Sequence, residues 1–220
     1  MLILKTINLT KSLKNYWNKI KDFFLIVLLF VLLLPLPNQV FSEELEKSNQ
    51  LIEEMIIKTK KHAIETLELN KEERSQKITP LIRQYVNLDF MARATTGSFW
   101  SKANDEQQLR YKDALLHQIV NTVEEHLNTL ATLTYTPLNS EFRGKKIIYI
   151  RGKIEDKSKN NPPINLLWKL AKSQNETMSI IDLEIEGISL VTSHKSEVMS
   201  ILRKNKGDFD YLIERLNIKK

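Results

Sequence analysis

The chain has no cysteine and only five glycines among its 220 residues. Without cysteine it can form no disulfide, supply no thiol nucleophile and carry no lipid-anchored amino-terminal cysteine. The scarcity of glycine argues against tight phosphate-binding loops. The sequence also lacks a glycine-rich phosphate loop, a dinucleotide-binding fingerprint and a Gly-x-Ser-x-Gly elbow. These absences exclude enzymes that depend on a cysteine nucleophile, a glycine-rich phosphate loop, a dinucleotide-binding fingerprint or a Gly-x-Ser-x-Gly elbow.

Metal-binding signals are missing as well. A helical pair of metal ligands needs two histidines four residues apart, and no two histidines of this chain have that spacing. We expect all four to be surface or half-buried polar residues: His62, His117, His126 and His194.

Three carboxylates near the carboxyl end form the only candidate acid–base cluster. Asp182, Glu184 and Glu186 alternate with apolar residues. Alternate positions of a strand lie on one face of a sheet, so this pattern predicts a solvated sheet surface and not a catalytic site.

The positive charge is concentrated at the amino end. The chain has a net charge of +6, and residues 1–42 contain five lysines against one aspartate. Basic residues elsewhere are interrupted by acids and lack an aromatic stacking platform, so we expect no nucleic-acid binding.

The amino-terminal segment has the pattern of a signal peptide. A lysine-bearing head precedes twelve apolar residues, 23–34, and the breaker Pro35-Leu36-Pro37. Twelve helical residues span roughly 18 Å, which is short of the ~30 Å hydrocarbon core of a bilayer. We therefore predict a signal peptide over 1–42, cleaved after Ser42, and an exported domain over 43–220. The long head leaves an uncleaved anchor as the alternative.

Periodicity divides the exported part into helices, then strands, then helices. Helices are expected over 44–69, from 71 to Gly97 with a break near Thr79 caused by Pro80, and onward from an Asn104 cap. Four segments rich in β-branched and aromatic residues follow, and two short helices, 189–204 and 208–216, close the chain. This order predicts an α+β fold with a curved, mostly antiparallel sheet of three or four strands.

Apolar side chains are abundant on these elements. One sheet face is expected to carry Ile147, Tyr149, Leu166, Trp168, Leu183 and Ile185, opposite helical residues Phe90, Met91, Val123 and Leu127. Such stripes are typical of an ordinary packed core, and periodicity does not distinguish a filled interior from a hollow one.

Two segments resemble the MlaC-type family of periplasmic phospholipid-binding proteins, also called toluene-tolerance proteins. The first is NLDFMARATTGSFWSKANDEQQLRYKDALLHQIV, with the matching residues Phe90, Met91, Ala92, Arg93, Gly97, Phe99, Trp100 and Gln107. The second is IIDLEIEGISLVTSHKSEVMSIL with the following KGDFDYLI, and its matches are Asp182, Glu186, Gly187, Ser189, Leu190, Gly207, Phe209, Leu212 and Ile213.

The resemblance implies a cone-like sheet, similar to that of nuclear transport factor two, wrapped by helices around an apolar cavity for acyl tails. Gly187 would let the chain turn at the rim, and Ile188, Leu190 and Val191 would start the closing helix. The implied cavity wall consists of Phe90, Met91, Val123, Leu127, Tyr149, Leu166, Trp168, Leu183, Ile185, Ile188 and Leu190.

The same resemblance implies a carrier without a cofactor or enzymatic activity. It would bind phospholipid and dock transiently on an outer-membrane lipoprotein–porin complex and an inner-membrane ABC transporter, thereby maintaining outer-membrane lipid asymmetry. Three alternatives stay open: a carrier of another lipid such as a hopanoid, an enzyme on the same cone-like fold, and an exported protein-binding module.

Overall fold

The computed structural model describes residues 37–156, 161–172 and 177–218. The helices of these ranges are α1 (Pro37–Glu65), α2 (Lys71–Tyr85), α3 (Leu88–Thr96), a 3₁₀ helix (Gly97–Lys102), α4 (Asp105–Glu125), α5 (Leu127–Thr132), α6 (Leu190–Lys204) and α7 (Phe209–Ile218). No helix in these ranges is long and apolar enough to cross a membrane. The predicted leader lies outside the described residues, except that residues 37–42 begin α1.

The strands form one antiparallel sheet in the order β1-β2-β3-β4-β5. They are β1 (Thr134–Arg143), β2 (Ile147–Glu155), β3 (Ile164–Lys172), β4 (Met178–Ile185) and β5 (Ile188–Ser189). Consecutive strands are neighbours throughout, so the sheet is a meander. The α+β prediction and the four long strands are confirmed, and the two-residue β5 is an addition at the edge.

The predicted helix break at Pro80 is wrong. Helix α2 runs through the proline without interruption. Ile78 and Ile82, on either side of Pro80, are both buried in one cluster with Leu116 and Val120 of α4. This packing on both sides holds the helical path, although Pro80 lacks the N–H that an interior position normally donates.

The chain breaks instead at Val86 and Asn87, where it meets the sheet. Val86 is extended and forms a parallel bridge with Ile180, whose carbonyl accepts from the Asn87 N–H at 2.8 Å. The Asn87 side chain then caps α3 by accepting from the Phe90 N–H at 2.9 Å. Two residues thus end one helix, pair with β4 and start the next helix.

The carboxyl-terminal helices pack with α3 and α4 in a cluster separate from the sheet. Tyr111 is fully buried there, with edge-to-face contacts to Trp100 and Phe209 at centroid distances of 6.4 and 6.1 Å. The predicted cap of α4 is confirmed as a reciprocal pair between Asn104 and Gln107. Trp100 is therefore a packing residue.

A polar cluster of three side chains links the carboxyl-terminal end of α1 to helices α2 and α4. The Arg74 Nε of α2 donates to Glu124 Oε2 of α4 at 2.7 Å, and His62 Nε2 of α1 lies 3.7 Å from the other carboxylate oxygen. Burial lowers the pKa of His62, and the charge of Glu124 opposes this shift. The neutral imidazole is therefore the form favoured in the folded protein.

Two isoleucines of α1 give a direct test of how the helix packs. Ile52 is 0% exposed against the sheet and Ile57 is 65% exposed on the same helix. We expect Ile52→Ala to lower the free energy of unfolding by about 2–5 kcal/mol, because it leaves a cavity in the core. The matched control Ile57→Ala should change it by less than about 0.5 kcal/mol. Urea unfolding followed by circular dichroism measures both, and equal effects would contradict the packing of α1 on the sheet.

Candidate functional site

One face of the sheet, here called the inner face, is apolar along its length. In the strand register Ile148 pairs with Leu170, Leu170 with Ile180, Ile150 with Trp168 and Trp168 with Leu183. Directly paired residues point to the same side of a sheet. A register shift between Lys169 and Leu170 inserts Ile181 into β4 and keeps Ile180 and Leu183 on that one side.

Helix α1 lies across the inner face and covers much of it. Ile52 is buried with Ile148, Ile150, Leu170 and Ile180, and Leu45, Leu51, Met55 and Ile56 pack around them. Polar contacts hold the helix along its length. They are Lys172 to Glu44 at 3.0 Å, Asn49 Nδ2 to Ser140 Oγ at 3.0 Å and Lys60 Nζ to the Leu133 carbonyl at 2.7 Å.

The corner of the inner face formed by β3, β4 and β5 is exposed. Ile164, Ile185 and Ile188 are large apolar residues with exposed side chains, and Ile188 is 63% exposed. The register brings them together, since Ile185 pairs with Leu166 and with Ile188, and Ile164 lies two residues from Leu166 on the same side. We call Ile164, Ile185 and Ile188 the apolar rim.

Two clefts flank α1. One, of about 240 Å³, lies between α1 and the edge strand β1, and it is lined by Glu46, Asn49, Gln50, Glu53, Pro137, Leu138, Asn139 and Ser140. The other, of about 420 Å³, is lined by the α1 residues Ile57, Lys60, Lys61, Ile64 and Glu65. Neither is lined by the buried isoleucines of the inner face. Side chains of α1 thus occupy the side of the sheet where the acyl-chain cavity was expected.

The interior also contains polar atoms without hydrogen-bond partners. Within the described part of the chain, the Tyr85 hydroxyl, the Tyr135 hydroxyl and the Trp168 indole Nε1 are buried and make no hydrogen bond. All three residues pack in or against the cluster between α1 and the inner face. A buried donor without an acceptor costs about 1–3 kcal/mol, so these atoms call for an explanation.

Six of the predicted wall residues lie on or next to the inner face. Register puts Leu166, Trp168, Leu183, Ile185 and Ile188 on that face. Met91 of α3 packs against both the sheet cluster and the cluster of carboxyl-terminal helices. The rest of the predicted wall is dispersed.

The remaining helical residues of that prediction lie elsewhere. Val123 packs with Ile78 and Ile82 between α2 and α4, and Leu127 is buried in α5. Phe90 and Leu190 are exposed residues of α3 and α6. Helix α6 begins at Leu190, so Ile188 belongs to β5 and not to the helix.

Tyr149 was predicted to share a face with Trp168, and that prediction is wrong. Tyr149 pairs with Lys169, which neighbours Trp168 and so points to the opposite side. There the Tyr149 ring is contacted by two cations, Arg143 at 5.4 Å and Lys169 at 5.7 Å from its centroid. We call this side the outer face.

Asp182 lies on the outer face as predicted, but it is buried and not solvated. One carboxylate oxygen accepts from the Val191 N–H at 3.1 Å, and the other accepts from the Ser189 hydroxyl at 2.7 Å and the Lys169 ammonium at 3.0 Å. The Ser189 hydroxyl in turn accepts from the Thr192 N–H. Asp182 therefore fixes the start of α6 against β4.

The turn that follows β4 needs its glycine. Glu186 and Gly187 have φ angles of +49° and +79°, the two positive values that a tight two-residue hairpin requires. The Glu186 side chain accepts from the Asn165 N–H, which ties the turn to β3. The expected backbone turn at Gly187 is confirmed. The segment from Asp182 to Ser189 holds the end of β4 against the start of α6.

The histidines give no sign of metal chemistry. His117 and His126 are exposed, and His62 and His194 are half-buried, as expected. Among the described residues there is no group of three side chains suited to hold a metal ion.

Comparison with known proteins identifies the class and then the family. The fold is that of a solved phospholipid-binding protein from Ralstonia solanacearum, determined in complex with a phospholipid, at a TM-score of 0.64 and 19% identity over 79% of this chain and 94% of that one. The model of the MlaC protein family matches residues 49–218, and the chain belongs to this family. No curated protein matches the sequence significantly.

Lys169 contacts both Asp182 and Glu184, so these two carboxylates form a matched pair for mutation. The Asp182 side chain is 8% exposed and that of Glu184 is 22% exposed. We expect Asp182→Ala to lower the free energy of unfolding by about 3–5 kcal/mol, because it leaves Lys169 and the start of α6 without their buried partner. Glu184→Ala should cost at most about 1 kcal/mol. Urea unfolding distinguishes the two variants. An equal loss of unfolding free energy in both would contradict the role of Asp182 in holding the start of α6 against β4.

Proposed function

We propose that this MlaC-family chain is a phospholipid carrier that holds acyl tails against the inner face of its sheet. The observation that carries the proposal is the apolar rim, where the apolar inner face continues beyond the cover of α1 into solvent. Exposed apolar side chains that adjoin a buried apolar surface are typical of a binding site. Tails would lie along Leu166 and Leu183 and extend to the rim.

Lipid uptake requires α1 to move away from the inner face, because α1 now covers the surface that acyl tails would bind. Its side chains Leu51, Ile52, Met55 and Ile56 now make the apolar contacts that acyl tails would make. Two tails of about fifteen carbons represent on the order of 20 kcal/mol of surface that must be kept from water, at ~0.8 kcal/mol per methylene. Because a bilayer shelters acyl tails about as well as an apolar protein face does, the transfer of the tails themselves is nearly balanced, and docking partners would set its direction.

The cellular setting belongs to the same proposal. The leader over residues 1–42 would export the chain to the periplasm. The compact unit begins at Glu44, so cleavage after Ser42 would leave that unit whole. In the periplasm the carrier would shuttle phospholipid between the outer-membrane lipoprotein–porin complex and the inner-membrane ABC transporter, and so maintain lipid asymmetry.

A carrier fits the inner face better than an enzyme does. Asp182 and Glu184, the carboxylates that an acid–base mechanism would have used, lie on the outer face and pair with Lys169. Both are thus committed to structural contacts on the wrong side of the sheet for chemistry on a bound lipid.

Native mass spectrometry of the exported protein tests the proposal. The wild-type protein should carry at least one phospholipid after gentle extraction. Ile185→Asp puts a charge on the apolar rim, and we expect a severalfold loss of bound lipid because a charge in contact with acyl tails is costly to desolvate. Leu109→Asp alters an exposed residue of α4 and serves as the control, with unchanged occupancy. Wild-type protein without lipid, or equal occupancy in both variants, would contradict the proposal.

A further inference from the structure

Two of the unpartnered polar groups lie side by side within the inner face. Tyr135 pairs with Ile154 of β2, and Trp168 pairs with Ile150, so both side chains are on the same side of the sheet. The Tyr135 hydroxyl and the Trp168 Nε1 are both inaccessible to solvent and without a hydrogen-bond partner in the described residues. Each group can donate a hydrogen bond, and Trp168 can only donate.

Gly152 sets the position of the tyrosine. Added at this glycine, a Cβ atom would lie 2.5 Å from the Tyr135 hydroxyl oxygen and 2.6 Å from its Cζ, far inside contact distance. The phenol ring therefore lies flat across β2 in the space left by the missing side chain, and its hydroxyl reaches inward over the strand. Gly152 pairs with Leu166, two residues from Trp168, on the next strand.

The surroundings favour a neutral acceptor over an anion. Burial and the nearby charge of Glu53 raise the pKa of Tyr135 to about 12. The Trp168 N–H opposes this shift because it lies close to the hydroxyl, although the two groups do not have the geometry of a hydrogen bond. The phenol thus stays protonated and able to donate, and the Glu53 carboxylate disfavours a negatively charged acceptor, such as the carboxylate of a free fatty acid, at the hydroxyl itself. Glu53 also lines the cleft between α1 and β1, together with Pro137, which pairs with Gly152.

We propose that the Tyr135 hydroxyl and the Trp168 indole N–H form a polar subsite that binds the ester carbonyl oxygen of an acylglycerol lipid. This inference rests on the proposed function and adds a selectivity to it. Acyl tails alone are recognised by any apolar face, whereas two convergent donors recognise the linkage between tail and glycerol. The subsite would therefore distinguish ester-linked from ether-linked lipids.

Tyr85 is excluded from this subsite. Its hydroxyl interacts with the Lys58 ammonium, which lies 5.6 Å from the centroid of its ring. That tyrosine therefore has a cation beside it, whereas the charge that acts on Tyr135 is the carboxylate of Glu53.

The test offers the protein a choice between two lipids. Exported protein is incubated with vesicles that contain equal amounts of diester and diether phosphatidylethanolamine of matched chain length, and native mass spectrometry reads the bound ratio. We expect the wild-type protein to enrich the diester lipid about three- to tenfold, the worth of one net hydrogen bond. Tyr135→Phe and Trp168→Phe should each bring the ratio toward one while lipid is still bound.

Tyr149→Phe is the matched control, since it removes the same hydroxyl from the outer face and should keep the wild-type ratio. Lipid-free Tyr135→Phe should melt at the wild-type temperature or above, because the lost hydroxyl had no partner. A lower melting temperature would overturn the proposal, as would a wild-type ratio near one with lipid bound. Uptake of neither lipid by the wild-type protein would instead refute the proposed function itself.

Discussion

The structure depends on one constraint, which is that the apolar inner face of the sheet must be covered. A five-stranded open sheet with isoleucine, leucine and tryptophan on one side is stable in water only when another element buries that side. Helix α1 supplies the cover through Ile52 and its neighbours. It leaves the corner formed by β3, β4 and β5 uncovered, and the exposed apolar rim results. The proposed function follows from this incomplete cover, because acyl tails and α1 have the same apolar chemistry.

Contacts on the outer face, and contacts between the helices and β4, fix the geometry of that cover. Asp182 binds the start of α6 to β4, and the Glu186–Gly187 turn ends the strand at the rim. Two residues before Asp182 on the same strand, Ile180 contacts Val86 and Asn87, so α2 and α3 meet the sheet at a defined point. The motif residues Asp182, Glu186, Gly187 and Ser189 therefore have structural roles, because they connect β4 to the start of α6. Their conformational demands, a positive φ and a buried cap, explain why specific residues are needed at these positions.

Sequence patterns predicted the long strands and most of the helices, but they did not predict which face of the sheet each side chain lies on. The long strands and the Asn104 cap follow from local patterns that the structure confirms. Tyr149 was assigned to the wrong face because β2 has apolar residues on both sides, so alternation alone did not identify the inner one. The continuous helix at Pro80 depends on Leu116 and Val120, contacts that no local rule contains. The cover by α1 and the burial of Asp182 are likewise long-range outcomes of packing.

The central claim is that α1 and lipid tails compete for one surface, and a distance measurement tests it most directly. The chain has no cysteine, so spin labels are introduced cleanly at Ile57→Cys on α1 and Leu109→Cys on α4, both exposed positions. Pulsed electron–electron double resonance then compares lipid-free and phospholipid-loaded protein. The account predicts that loading shifts or broadens the distance distribution as α1 leaves the inner face. An unchanged distribution in protein shown to be loaded would contradict it.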